Sequence, residues 1–199
     1  MRYWLFAVAL LFGCAAENNS ETNSAPEREA LEIQEIDLEA VDTEVEALST
    51  DHAKIAFLKF IMTEDQRVRK EETEALESFG YQSVEHKKAI NNMMNVDALN
   101  LAKINAFTET YGAPEINSVG RMQSEATWYT VHHTSDIEPR EQYYPILYSA
   151  WQAGMLSGSM FTMYLQRWCE NETGERVYME GAYTDEEEIA ALQEKLGLD

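Results

Sequence analysis

Beyond residue 50, apolar side chains recur at three- and four-residue intervals over stretches too long for strands. Ile55, Leu58, Ile61, Met62 and Val68 share one helical face behind Ser49-Thr50-Asp51, a cluster suited to capping a helix N-terminus. Gly80 punctuates this first long helix. A second is predicted from about Ser83 to Thr110, with Ile90, Met94, Leu101, Ile104 and Phe107 near helical spacing, before Gly112-Ala113-Pro114 breaks it. Gly120 precedes a third through Met122, Ala126, Tyr129 and His133. Asp136 is placed to cap a fourth over Glu138 to Ala153, in which Pro145 predicts a kink or the true start. Ser157-Gly158-Ser159 reads as a loop or cap before a fifth helix, from about Ser159 to Glu170. Val177-Tyr178-Met179 predicts one short extended segment, and Thr184-Asp185-Glu186-Glu187 opens a final capped helix ending at Gly197. The pattern is mostly α: one compact domain over 51–199, with five or six helices.

The N-terminal quarter reads differently. Arg2 is followed by an apolar run from Trp4 to Gly13, half the ~20 residues a spanning helix needs, which is the form of a signal peptide. The run ends at Cys14. Leu11-Phe12-Gly13-Cys14 resembles the lipobox of bacterial lipoproteins, in which the cysteine is lipidated and becomes the first residue of the mature chain. The alternative is ordinary secretory cleavage after Ala15 or Ala16. Residues 14–50 form an acidic, mostly flexible tether by composition, because the stretch to Glu29 has too little apolar surface to offset ordering entropy. Within it, Leu38, Val41, Val45 and Leu48 predict a weak amphipathic helix over 30–48.

Charge narrows the partners. The chain carries 36 acids against 15 bases, a net charge of −21. From Glu17 to Asp51, 12 acids face Arg28 alone. So acidic a surface repels the phosphates of nucleic acid and anionic lipid alike, so both are poor partners and no nucleic acid is expected. With Cys14 lipidated, Cys169 is the one remaining thiol, so neither an internal disulfide nor a cysteine zinc site can form. Beside Trp168 it reads as a buried small hydrophobe.

Several fragments in order resemble a bacterial family defined as domain of unknown function 6624. They are Asp65-Gln66-x-x-Arg69, Asp97-x-x-Asn100 with Ile104, Tyr111-Gly112-x-Pro114, Val119-Gly120, and Trp128 with His133. The series continues as Leu147 to Gly154, Leu165-x-Arg167, and Tyr178 after Gly174. The resemblance covers roughly Asp51 to Leu198. It implies a helical fold and a shared pocket of Asp65, Gln66, Arg69, Asp97, Asn100, His133, Arg167 and Tyr178, but no reaction or cofactor. The family's usual Asp-Arg is Gln166-Arg167 here, and its Gln-x-Tyr-Gly is Arg176-Val177-Tyr178-Met179.

Each polar group also has a structural reading. Asp65 and Arg69, at i and i+4, form either part of a ligand site or a helix ion pair worth ~0.3–0.5 kcal/mol. Asp97 and Asn100 either face a ligand or bond between helices. His132 and His133 point about 100° apart on a helix, so they do not ligate one ion together, and no metal site is assigned. No Gly-x-Ser-x-Gly elbow or phosphate loop appears. Tyr143, Tyr144, Tyr148, Trp151 and Tyr164 read as core, with a sugar or peptide platform as the sharper alternative.

The functional expectation is a lipid-anchored protein of the bacterial envelope whose helical domain binds a protein or small molecule or serves structure. Ala15 after the cysteine, in place of an aspartate, favours the outer membrane where the source has one. The alternative is an enzyme, hydrolase-like, using the His/Asp/Arg pocket.

Overall fold

The structure, a computed structural model, describes residues 34–175, Val177 and residues 184–198; the side chains of residues 116, 117, 121 and 122 are outside that description. Cys14, Arg176, Tyr178 and Met179 therefore lie outside the described residues. The protein is all-α, with no strand among the described residues. The helices are α1 (Leu38–Glu46), α2 (Asp51–Phe79), α3 (Val84–Tyr111), α4 (Ile116–Val119), α5 (Arg121–Ser124), α6 (Ala126–His133), α7 (Ile137–Gln152), α8 (Gly158–Thr173) and α9 (Asp185–Leu196). The fourth and fifth are single turns. No helix among the described residues is long and apolar enough to cross a membrane.

Local chemistry sets most of the ends. The hydroxyls of Thr50, Ser83 and Ser157 each accept a backbone N–H at the start of α2, α3 and α8. Thr184 and Glu187 cap each other reciprocally at α9. Gly174 and Gly197 end α8 and α9 in the left-handed conformation, open to glycine without a Cβ clash.

Three expectations are corrected. The third helix is broken at Glu125 into α5 and α6. Asp136 occupies the N-cap position of α7, but its side chain makes no capping bond. Pro145 does not mark the start of α7, which runs through it from Ile137. Val177 belongs to no strand, and the rest of that expected segment lies outside the described residues.

α2 and α3 form an antiparallel hairpin, registered by Asn100 on the carbonyl of Ile61 (3.3 Å) and Arg69 on Asp97 (2.8 Å). α6 packs against both of these helices, α7 against α6 and α8, and α9 against α8. In the segment read as a weak helix, α1 lies along α3. Val41 and Val45 are buried, Lys103 pairs with Glu44 (2.9 Å), and the Tyr111 hydroxyl donates to the carbonyl of Val45 (2.9 Å). The aromatic stretch is core: Tyr143 and Tyr164 are fully buried, and Trp151 stacks on Phe161 at 5.3 Å. Cys169 is buried too, and burial pushes its thiol pKa up.

Candidate functional site

α2, α3 and α6 bring five of the sequence candidates to one place. His133, the last residue of α6, puts Nδ1 2.7 Å from Asp65 Oδ1 on α2. Arg69, one turn further along α2, donates through Nη2 to Asp65 Oδ1 (3.0 Å) and to Asp97 Oδ1 on α3 (2.8 Å). Gln66 completes the set by donating Nε2 to the other Asp65 oxygen at 2.7 Å. The i, i+4 spacing that allowed an ordinary helix pair is thus half of a cluster joining three helices.

Asp65 is 2% exposed. Burial by itself raises a carboxyl pKa, yet this one is lowered, because the His133 hydrogen bond and charge, Arg69 and Gln66 together outweigh desolvation. Asp97 goes the other way. Burial raises its pKa, and Asp65 adds to the rise against the pull of Arg69 and His133. Two neighbouring carboxyls are thereby pushed apart in acidity, an arrangement that separates acid from base roles.

The proton on His133 follows from the contacts. Arg69 Nε also lies 3.1 Å from Nδ1, but Nδ1 cannot both accept from Arg69 and donate to Asp65. An ionised carboxylate 2.7 Å from a bare nitrogen would set lone pair against lone pair. Nδ1 therefore carries hydrogen toward Asp65. Nε2 has no hydrogen-bond partner among the described residues.

Asp97 and His133 line a groove of about 500 Å³. Its floor is α3, where Ala98, Ala102 and Ala106 leave space along one face. Leu38 and Asp42 of α1 form one wall, and Thr134, Ser135 and Asp136, between α6 and α7, the other. Asp42, Asp97, Glu109 and Asp136 make the lining acidic, and among the described residues it contains no lysine or arginine.

The other candidates stand apart. Asn100 is buried and bonds to Ile61, so it ties the hairpin and does not line the groove. Arg167 is exposed on α8, and its charge acts on His132 and Arg140 rather than on the cluster. Gln166 donates to Glu188 of α9 at 2.6 Å. His132 stacks on Trp128 (centroids 4.7 Å apart), and burial holds its pKa down at about 3.

Asp65, Asp97 and His133 each offer a ligand atom within 4.8 Å of the others, the right set for a divalent cation. The Arg69 guanidinium already bridges both carboxylates, so it is the cation this cluster is built around. A metal ion requires Arg69 to swing away.

Arg140 escaped the sequence reading. Fully buried and without a carboxylate partner among the described residues, it donates through Nη2 to the carbonyls of His132 (2.9 Å) and Thr134 (2.6 Å), on either side of His133. Burial lowers its pKa to about 10, which leaves it charged at neutral pH. It thus satisfies end carbonyls of α6 and fixes the backbone that carries the imidazole. Its signal was spacing: Arg140, Tyr143 and Leu147 share the buried face of α7.

No family model, curated protein or solved structure matches this chain.

Proposed function

We propose that the chain is a lipid-anchored protein of the bacterial envelope, related to the domain of unknown function 6624 family. Its helical domain holds a ligand in the groove along α3 and exchanges a proton with it through His133. The observation that carries the site is the 2.7 Å contact between His133 Nδ1 and buried Asp65. A carboxylate there orients the imidazole and stabilises the imidazolium formed when Nε2 takes a proton. Asp97, whose carboxyl is the weaker acid of the two, is the neighbouring group suited to returning one. The reaction class is hydrolase-like, with water as the attacking group. The acidic lining favours a neutral or cationic ligand and disfavours phosphates.

A second reading keeps the ligand and drops the chemistry. It is favoured by Arg69, whose Nη2 is committed to both carboxylates and not presented to the groove. Chromogenic ester, amide and glycoside substrates separate the two. Catalysis predicts turnover that falls at least ~100-fold in His133→Ala. Inactivity of the wild type on every class, with ligands that still raise its melting temperature, supports binding alone. If nothing is turned over and nothing stabilises the protein, the groove is not a site.

A further inference from the structure

The turn between α2 and α3 is the most apolar exposed feature among the described residues. Phe79 is 60% exposed, Tyr81 75% and Val84 62%, with Leu76 beside them. Among residues 70–90 only His86 is buried, so the hairpin ends as a free-standing tip. His86 closes it by bonding Glu72 at 2.8 Å. Gly80 and Gln82 both have positive φ, at 85° and 67°, and this tight reversal carries the aromatic pair at the apex. From Ser78 to Ser83 the turn bears no charge.

The path of the chain shows what that tip faces. α1 runs parallel to α3: Gln34 N–H donates to Asn95 (2.7 Å), Glu44 meets Lys103, and Tyr111 reaches Val45 and Leu48. Followed backward from Leu48, the chain therefore travels toward the turn. It passes Asn95, eleven positions beyond Val84, or about 16 Å of helix. Twenty residues separate this point from the lipobox cysteine, Cys14 to Ile33, a length that spans at most roughly 70 Å. The described chain thus begins on the side of the domain that carries the aromatic apex, and the length before it allows an anchor at Cys14 to lie beside that apex.

We propose that the α2–α3 turn, through Phe79, Tyr81 and Val84, docks onto the lipid bilayer that holds the Cys14 anchor. This rests on the lipoprotein reading above. Aromatic side chains favour the bilayer interface, where a ring meets apolar tails and polar headgroups together. Tethering raises the effective concentration of the surface to the millimolar range, so a weak contact suffices. Glu77 and Glu85 flank the turn and keep it from inserting deeply. Docked in this way, the turn holds the groove off the lipid, since its lining on α3 begins at Met94, about 15 Å of helix beyond Val84.

The test uses the full lipidated chain in vesicles of phosphatidylethanolamine and phosphatidylcholine, which carry no net charge to repel the acidic domain. An environment-sensitive dye is placed at Ser78→Cys or, as control, at Glu109→Cys near the far end of α3; Cys169 is buried. Docking gives a blue shift and quenching by nitroxide lipid at position 78, neither at 109, and loss of both when Phe79→Ser and Tyr81→Ser are added. Vesicle-bound protein with a water-like signal at 78 overturns the docking and leaves the anchor standing. Protein that fails to bind vesicles and matches Cys14→Ser overturns the anchor, and the docking with it. Shielding that needs added envelope proteins makes the tip a protein interface and overturns the bilayer assignment.

Discussion

Asp65 and His133, 68 positions apart in sequence, meet through Oδ1 and Nδ1 at 2.7 Å, with Arg69 bridging from Asp65 to Asp97. Removing the charge while keeping the shape tests this relationship. Asp65→Asn leaves Arg69 with one carboxylate and His133 without an ionised partner. It should cost about 3 kcal/mol, as expected on breaking a buried charge pair. Asp97→Asn should cost clearly less, since burial already weakens Asp97 ionisation. Chemical denaturation of both variants reads the order.

The same pair sets an acid limit. The folded-state pKa of Asp65 is depressed, so its contribution is complete above the unfolded carboxyl range near pH 4. That contribution disappears as pH falls through the lower folded value. Asp97, raised, has the opposite sign. The melting temperature of wild type should therefore drop more steeply below pH 4 than that of Asp65→Asn.

His132 dominates at milder pH. Its folded pKa, about 3, lies below the unfolded value near 6.5, so the unfolded chain binds its proton first. Stability should fall from pH 6.5 downward, by at most about 1.4 kcal/mol per unit from this group. His132→Gln should flatten the stability profile between pH 6 and 4, whatever it does to stability at pH 7. A slope unchanged by the substitution would show that His132 does not titrate with unfolding.

Arg140 should be sensitive to shape as well as charge. Arg140→Met strands the carbonyls of His132 and Thr134, at about 2–4 kcal/mol by analogy with other unsatisfied buried groups. Arg140→Lys keeps the charge but loses the planar fork, and should recover only part of that. Thermal melts compare the three proteins.

The Cys14 reading has its own chemistry. Growth with a labelled lipid precursor should tag the wild type and spare Cys14→Ser. Equal labelling of the two would sink the lipoprotein assignment.

The helices were legible because their ends are local. Thr50, Ser83 and the Thr184/Glu187 box announce themselves within four residues, and the apolar stripes between them have one period. The break at Glu125 carries no such mark. Pro145 carries a misleading one, because packing of Tyr143 and Leu147 into the core holds the helix through it. At the site, His132 and His133 were distinguishable by geometry, since adjacent helical positions face different neighbours. Asp65, Arg69 and Asp97 were readable as polar groups on apolar faces. That they meet, while Asn100 turns to Ile61 and Arg167 to solvent, depends on helix crossings that local sequence does not encode. Arg140 was missed for a related reason: its spacing with Tyr143 and Leu147 marks the buried face of α7, but a pattern that sorts residues into apolar and polar places every arginine outside.

The most direct measurement is a thermal-shift screen of small neutral and cationic compounds against wild type and His133→Ala. A site at the groove predicts compounds that raise the melting temperature of the wild type and leave the variant at its own ligand-free value, which itself lies lower because buried Asp65 has lost its imidazole partner. Compounds that stabilise both equally would contradict it, since the imidazole would then play no part in what the protein binds.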